Sequence, residues 1–329
     1  MSDQGLLQLR WRPYRFVLPR SLITSRGALV QRSGWLLQLA APGGAMGWGE
    51  AAAPLFAALP EVRPAALAGA LADLPAALSR ADLEERLPAL PLPLACALGM
   101  ALAELDGAVG SWRMAPASAQ LLPAGEAALA ALDVLLPAAA APAAPALTFK
   151  WKVAAVDDAL ERQLLEELLP RLPATARLRL DANGGWDRRT AGRWAERLAG
   201  EPRLQWLEQP LAPAELSALA ELAARLPVAL DESLPLLTPA QRAAWPGWLV
   251  RRPLQEGDPR PLLQALQAGA VRQMISTAFE TGIGRRFVEH LAALQADGAT
   301  AVAPGLAPGW RPDGALFAAD PQRVWEAAV

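Results

Sequence analysis

Six polar residues recur through the last two-thirds of the chain at nearly constant spacing, and each one closes a short apolar run. Lys152 ends "ALTFKWK", Asp181 ends "ARLRLD", Glu208 ends "LQWLE", Asp231 ends "VALD", Arg252 ends "GWLVRR" and Ser276 ends "VRQMIS". Their separations are 29, 27, 23, 21 and 24 residues. One strand, its crossover helix and two turns take up that length, because neighbouring parallel strands need a crossover of a dozen or more residues. With "ASAQLL" before these runs and "ATAVAP" after them, the chain holds about eight such units. The pattern predicts a modified (β/α) TIM-like barrel in which the closing residue of each strand lies at the C-terminal mouth, where barrels carry their chemistry. No repeat of sequence accompanies this repeat of structure.

The first third follows a different rhythm. Residues 7–18, "LQLRWRPYRFVL", alternate apolar and polar around a proline, as an edge strand does. "LVQRSGWLLQLAAPGGAMGWGEAAA" reads as two antiparallel strands about a Pro-Gly-Gly turn, and residues 61–112 change to helical spacing. The chain therefore divides into an N-terminal α+β capping domain over 1–112 and an α/β barrel domain over 113–307, with 308–329 packing back on the cap. "VLLPAAAAPAAPALTF" is read as a loop running into a strand, since its 16 residues and three prolines are too short and too broken for a membrane helix.

A net charge of −2 and a pI near 5.7 leave no basic surface for nucleic acid or an anionic membrane, so the partner expected is a small molecule. The single cysteine, Cys96, lies in the apolar run "LACALGMAL" as a buried thiol. One cysteine makes no internal disulfide, which fits a reducing cytoplasm. The N-terminal "MSDQGLLQLRWRPYRF" is interrupted by charge, unlike a secretory signal. "GGAMGWGE" is glycine-rich but lacks the spacing of a phosphate-binding loop.

Of 31 basic residues only two are lysine, Lys150 and Lys152 in "TFKWK". Strand geometry puts both on one face, with Trp151 opposite. Two ammonium groups side by side repel, so packing alone does not select them; the bland alternative is a solvated pair on an exposed edge, which the apolar flanks oppose. Burial, a like charge and a nearby cation all favour the neutral amine, and a lysine brought to about pKa 7–8 is a competent base. Arginine stays charged and cannot do this.

Asp181, Glu208 and Asp231 close three successive strands and converge in a closed barrel. Unpaired, they would repel strongly; an all-oxygen set of this kind suits Mg²⁺, with Mn²⁺ as the alternative. Three unrelated surface carboxylates is the bland reading. The lone histidine, His290, falls in the helical "RRFVEHLAAL" and is read as a surface or packing residue. Its isolation excludes a His-rich metal site and a Ser-His-Asp triad.

Taken in order, "FKWK", "LRLDAN", "WLEQP" and "ALDESL" resemble the Lys-x-Lys motif and three metal strands of the enolase superfamily, and "GWGEAAAP" resembles its N-terminal capping loop. The likeness covers nearly the whole chain. Within the superfamily, "ISTAFETGIG" and "VAPGL" are similar to the dehydratase branch of menaquinone and phylloquinone biosynthesis. That resemblance implies Lys152 as acid/base residue, Lys150 as its electrostatic neighbour, and Mg²⁺ on Asp181, Glu208 and Asp231. It implies that Arg179 orders the site, and that Ser276, Thr277 and the Gly305 backbone lie near a substrate arm. The lobe loops 18–26 and 43–50 are expected to set specificity by closing over the mouth. One position departs from the pattern: Arg252 stands where the family usually has a second lysine, and a permanently charged arginine is a poor second base. A dipeptide epimerase, a muconate-type cycloisomerase and a barrel that only binds a metal carboxylate are the alternatives.

Overall fold

The computed structural model describes residues 5–24, 27–54, 63–139 and 147–328. The chain begins with an antiparallel sheet of β1 (Leu7–Thr24), β2 (Gly27–Ala40), β3 (Met46–Ala52) and β4 (Ala77–Leu78), in the order β3-β2-β1-β4. Alternation decides which face is buried: Tyr14, Phe16 and Leu18 point inward, while Arg15 and Val17 are exposed. As expected, β1 is an edge for most of its length, since β4 covers only Leu7 and Gln8.

Three helices follow, α1 (Pro64–Ala72), α2 (Arg80–Arg86) and α3 (Leu92–Leu105). Helix α3 lies directly on the backbone of β3. A Cβ on Gly49 would stand 1.9 Å from the Ala97 carbonyl oxygen, and one on Gly47 would stand 2.0 Å from that of Ala101. This corrects the reading of 43–50 as a loop closing over the mouth, while the hairpin reading of the same stretch holds. Met46–Ala52 is a strand, and its glycines admit a helix rather than a substrate.

The second sheet is parallel and curls in chain order. It comprises β5 (Gln120–Leu122), β6 (Thr148–Lys152), β7 (Arg177–Asp181), β8 (Leu204–Glu208), β9 (Val228–Leu230), β10 (Trp248–Arg251) and β11 (Gln273–Ile275). Between and after these strands run α4 (Ala127–Ala139), α5 (Asp158–Leu168), α6 (Arg188–Leu198), α7 (Leu216–Ala223), α8 (Pro239–Ala244), α9 (Arg260–Gln267) and α10 (Gly282–Ala296). Local sequence sets their starts: the Asp157 carboxylate accepts from the Ala159 and Leu160 N–H groups at the head of α5, and Asp187 does the same for Thr190 in α6.

Two expectations change here. "ATAVAP" forms no regular strand. The ring closes instead through Gly305, whose N–H donates to the Ile275 carbonyl at 2.8 Å, and through the Pro304 carbonyl, which accepts from the Ala119 N–H at 2.9 Å. Pro304 has no N–H to give, so a regular ladder cannot run through it. The apolar run beginning at Val134 is not all loop, because the alanine- and leucine-rich α4 continues to Ala139. Residues 140–146 of that run, and 25–26 of the first lobe loop, lie outside the described residues.

The final helix, α11 (Pro321–Ala327), returns to the lobe. Arg12 donates to the Trp325 carbonyl at 3.0 Å, Trp48 meets the Trp325 ring edge-on at 5.8 Å, and Phe16 meets Phe317 edge-on at 4.9 Å. A second junction is ionic: the Arg260 guanidinium of α9 grips both Glu84 oxygens of α2 at 2.7 Å while also holding Asp258. Among the described residues, no helix is long and apolar enough to cross a membrane.

Candidate active site

At the C-terminal ends of the parallel strands lies a cavity of about 350 Å³. Its floor carries Lys150, Lys152, Asp231 and Arg252; Ser276, Thr277 and Gly305 form one side. Leu22, Leu29 and Pro54 of the lobe border it from above. Leu22 of the expected first lobe loop therefore reaches the site, although 18–24 belong to β1 rather than to a loop. The second, 43–50, does not border the cavity, for the packing reason given above.

The alternation of β6 behaves as predicted. Trp151 is fully buried on the helix side, edge-on to Trp194 of α6, while Lys150 and Lys152 face inward with 7% and 5% exposure. Parallel register places Lys152 opposite Asp181 and Asp181 opposite Glu208. Lys150 Nζ donates to Glu208 Oε1 at 2.6 Å and lies 2.8 Å from Asp181 Oδ2. Lys152 Nζ donates to Asp181 Oδ2 at 2.5 Å and to Asn183 Oδ1 at 2.9 Å. Across the cavity, Arg252 holds Asp231 through Nε (2.8 Å) and Nη2 (2.5 Å), and its Nη1 donates to the Thr277 carbonyl at 2.6 Å.

These contacts set the charge states. Burial works against a charged Lys150, but the facing Asp181 and Glu208 carboxylates outweigh it and hold the ammonium above its ordinary range. The expectation of a lowered amine is thus reversed at Lys150, because the two lysines face carboxylates rather than each other. Burial likewise opposes the charge of Asp181, yet Lys150 and Lys152 keep its carboxyl below the usual range. Burial and then the Asp181 charge raise Glu208. Burial, Asp231 and Asp181 push Glu232 up to about 7.

Among the described residues, no group of three or more acidic, histidine or cysteine side chains is drawn together as a ready-made cation cage. The carboxylates of Asp181, Glu208 and Asp231 are turned instead onto ammonium and guanidinium groups. The donor set nevertheless fits a hard divalent cation: three oxygen-only ligands on successive strands, 0%, 0% and 6% exposed, with Glu208 destabilised by its acidic neighbours. A cation relieves that repulsion.

The remaining expected residues separate by layer. Ser276 and Thr277 border the cavity; the Ser276 hydroxyl donates to the Gly305 carbonyl at 3.2 Å, and the Thr277 hydroxyl to Glu280 at 2.6 Å. Arg179 shares the inward face of β7 with Asp181 but does not border the cavity. Its guanidinium stacks 4.1 Å from the Trp206 ring centroid and donates to Gln205 and the Ala303 carbonyl, each at 2.7 Å; burial brings it down to about 9. It ties barrel strands together beneath the site and touches no ligand space. His290 is buried edge-on to Trp112 at 5.6 Å, far from this chemistry in role.

Several polar supports went unread in the sequence. Asn183 accepts from Lys152 and donates to Glu232 at 3.0 Å. Gln209 accepts from the Asp231 and Ser233 N–H groups at 3.1 and 3.0 Å, fixing the turn that presents Asp231. Glu256 accepts from the Arg252 N–H and from Arg251. The first two stand inside "LRLDAN" and "WLEQP", one or two places after a strand-ending acid, so position was the available signal.

Comparison with known proteins agrees with this geometry. A model of the family "Enolase C-terminal domain-like" matches residues 137–245. The o-succinylbenzoate synthase of Thermosynechococcus vestitus is 36% identical over 297 residues, covering 87% of this chain and 88% of that protein. A crystal structure of o-succinylbenzoate synthase from Thermosynechococcus elongatus BP-1, with magnesium in its active site, superposes with a TM-score of 0.79 at 30% identity, covering 97% and 99% of the two chains. The L-Ala-D/L-Glu epimerase of Bacillus subtilis shares the fold at a TM-score of 0.75 and 20% identity, covering 94% of this chain and 92% of that one.

Proposed function

Because the chain belongs to the enolase superfamily, we propose that it is an o-succinylbenzoate synthase. The reaction is the Mg²⁺-dependent syn-dehydration of 2-succinyl-6-hydroxy-2,4-cyclohexadiene-1-carboxylate to 2-succinylbenzoate, a step of menaquinone or phylloquinone biosynthesis. The single observation that carries the assignment of roles is the convergence of Lys150 and Lys152 on Asp181 at the floor of a cavity roofed by the lobe.

A divalent cation held by Asp181, Glu208 and Asp231 would supply electrophilic polarisation of the substrate carboxylate, making the adjacent α-proton removable. Lys152 takes that proton at Nζ. Lys150 places a fixed positive charge beside the carbon that becomes electron-rich, and Arg252 contributes a second from across the cavity that does not vary with pH. Lys152 then returns the proton to the departing hydroxyl on the same face. One C–H bond and one C–O bond break, a ring double bond forms, and water leaves as the ring becomes aromatic. Ser276, Thr277 and the Gly305 backbone lie near the succinyl arm, and Arg179 orders the barrel below. The cap comprises 1–112 with 308–329, the barrel 113–307, and the enzyme works on a small carboxylate in the cytoplasm.

The test is an absorbance assay with the cyclohexadiene acid. Loss of the diene signal that requires Mg²⁺ and stops with a chelator is expected; no change with Mg²⁺ present overturns the proposal. An epimerase would instead place solvent deuterium at the α-carbon of both L,L- and L,D-dipeptides in D₂O, which Arg252 opposes because it offers no second exchangeable base.

A further inference from the structure

The cavity wall between β11 and α10 is the irregular segment Thr277–Thr281, and it is held in a conformation it would not adopt alone. Phe279, which borders the cavity, has a φ of +62°. Side chains other than glycine adopt that left-handed region rarely, and it persists only where the surroundings over-determine it.

Two buried carboxylates supply that constraint. Glu280 accepts from the Thr277 hydroxyl at 2.6 Å and from the Ala278 N–H. Glu50, fully buried on β3 of the lobe, accepts from the Thr281 N–H (3.0 Å), the Thr281 hydroxyl (2.5 Å), the Gly284 N–H (3.0 Å) and the Tyr14 hydroxyl (2.6 Å). Thr281 is the residue before the first turn of α10, yet its own side chain caps nothing. Glu50 takes two of the free N–H groups at that end, those of Thr281 and Gly284, the first from 231 residues away in sequence. The braced segment continues into the site, since the Thr277 carbonyl accepts from Arg252, which in turn holds Asp231.

We propose that Glu50 is a positioning residue for the reaction. By capping α10 from the lobe it fixes Phe279 and the Thr277 carbonyl, and through them the placement of Arg252 and Asp231. This rests on the dehydratase reading of the same site.

The experiment compares Glu50→Gln, Thr281→Val and Thr281→Ser with Glu84→Gln, which loosens the other lobe–barrel junction and has no path to Thr277. All are assayed well below their unfolding temperatures. Glu50→Gln and Thr281→Val should lose about 10- to 100-fold in kcat/KM, chiefly in kcat, because a small misplacement of reacting groups costs that much. Thr281→Ser, which keeps the hydroxyl, and Glu84→Gln should stay near wild type. Hydrogen exchange without substrate should rise at residues 277–284 in Glu50→Gln and not in Glu84→Gln. Wild-type kinetics in Glu50→Gln, or a loss no greater than in Glu84→Gln, overturns the proposal, as does unchanged exchange at 277–284. If the wild type itself fails to turn over the diene acid, the dehydratase reading falls and the exchange comparison alone decides the brace.

Discussion

Lys150 and Lys152 are two places apart on one strand face, yet their neighbours differ. Lys150 bridges Asp181 and Glu208, whereas Lys152 meets Asp181 and Asn183 nearer the mouth. The proton-moving role we propose therefore falls to Lys152. Replacing it with arginine keeps the charge and removes the exchangeable amine, so Lys152→Arg should lower kcat by about 10²- to 10⁴-fold while circular dichroism and thermal midpoint stay near wild type. Near-normal turnover would remove Lys152 from the mechanism. The strand-closing residues were legible because each ends a run whose period and length are fixed by β geometry. Asn183, Gln209 and Glu256 were not, since a polar residue just after a strand reads equally as a turn until its partners are known.

At the next level, the lobe depends on a helix seated on a strand without any side chain between them. Gly49→Ala would drive a methyl group into the Ala97 carbonyl, 1.9 Å away, and should cost about 1–3 kcal/mol of stability or more. Gly43→Ala, with nothing within 4 Å of its added Cβ, should stay within about 0.5 kcal/mol. Urea unfolding of the pair checks this, since equal midpoints would contradict the close approach. Elements with a strong period were readable, including β6 to β11 and the hairpin of β2 and β3. The eighth run was not: it looked like a strand because its apolar pattern does not show that Pro304 lacks a donor and has a fixed φ, and the packing role of the β3 glycines was equally hidden.

For the molecule as a whole, the lobe and barrel are joined by the edge-on contact of Trp112 with His290, by the Glu50 cap and by the Arg260 clamp. The Arg260 hydrogen bonds hold Glu84 down to about 2, against about 4.3 in an unfolded chain. A depressed carboxyl contributes stability that is present above the unfolded pKa and lost as pH falls through the folded one. The stability difference between wild type and Glu84→Gln should therefore be constant above about pH 4.3 and shrink toward about pH 2. Solvent screening keeps it modest, since the Glu84 side chain is 37% exposed. Chemical unfolding of both proteins across that interval tests it, and a difference that does not change with acid would show that the clamp carries no net charge coupling. The barrel and its cap could be read from spacing alone, but how the two lock together depends on pairs such as Glu50 with Thr281 and Glu84 with Arg260, whose distance along the chain hides them.

Both lysines of the sequence are enclosed at the cavity floor, so the exterior offers no ε-amine at all. Lysine-directed labels and crosslinkers can find an ε-amine only by entering the cavity. A covalent tag of that kind, located by mass, is a direct report on access to the reacting centre rather than on the outer surface.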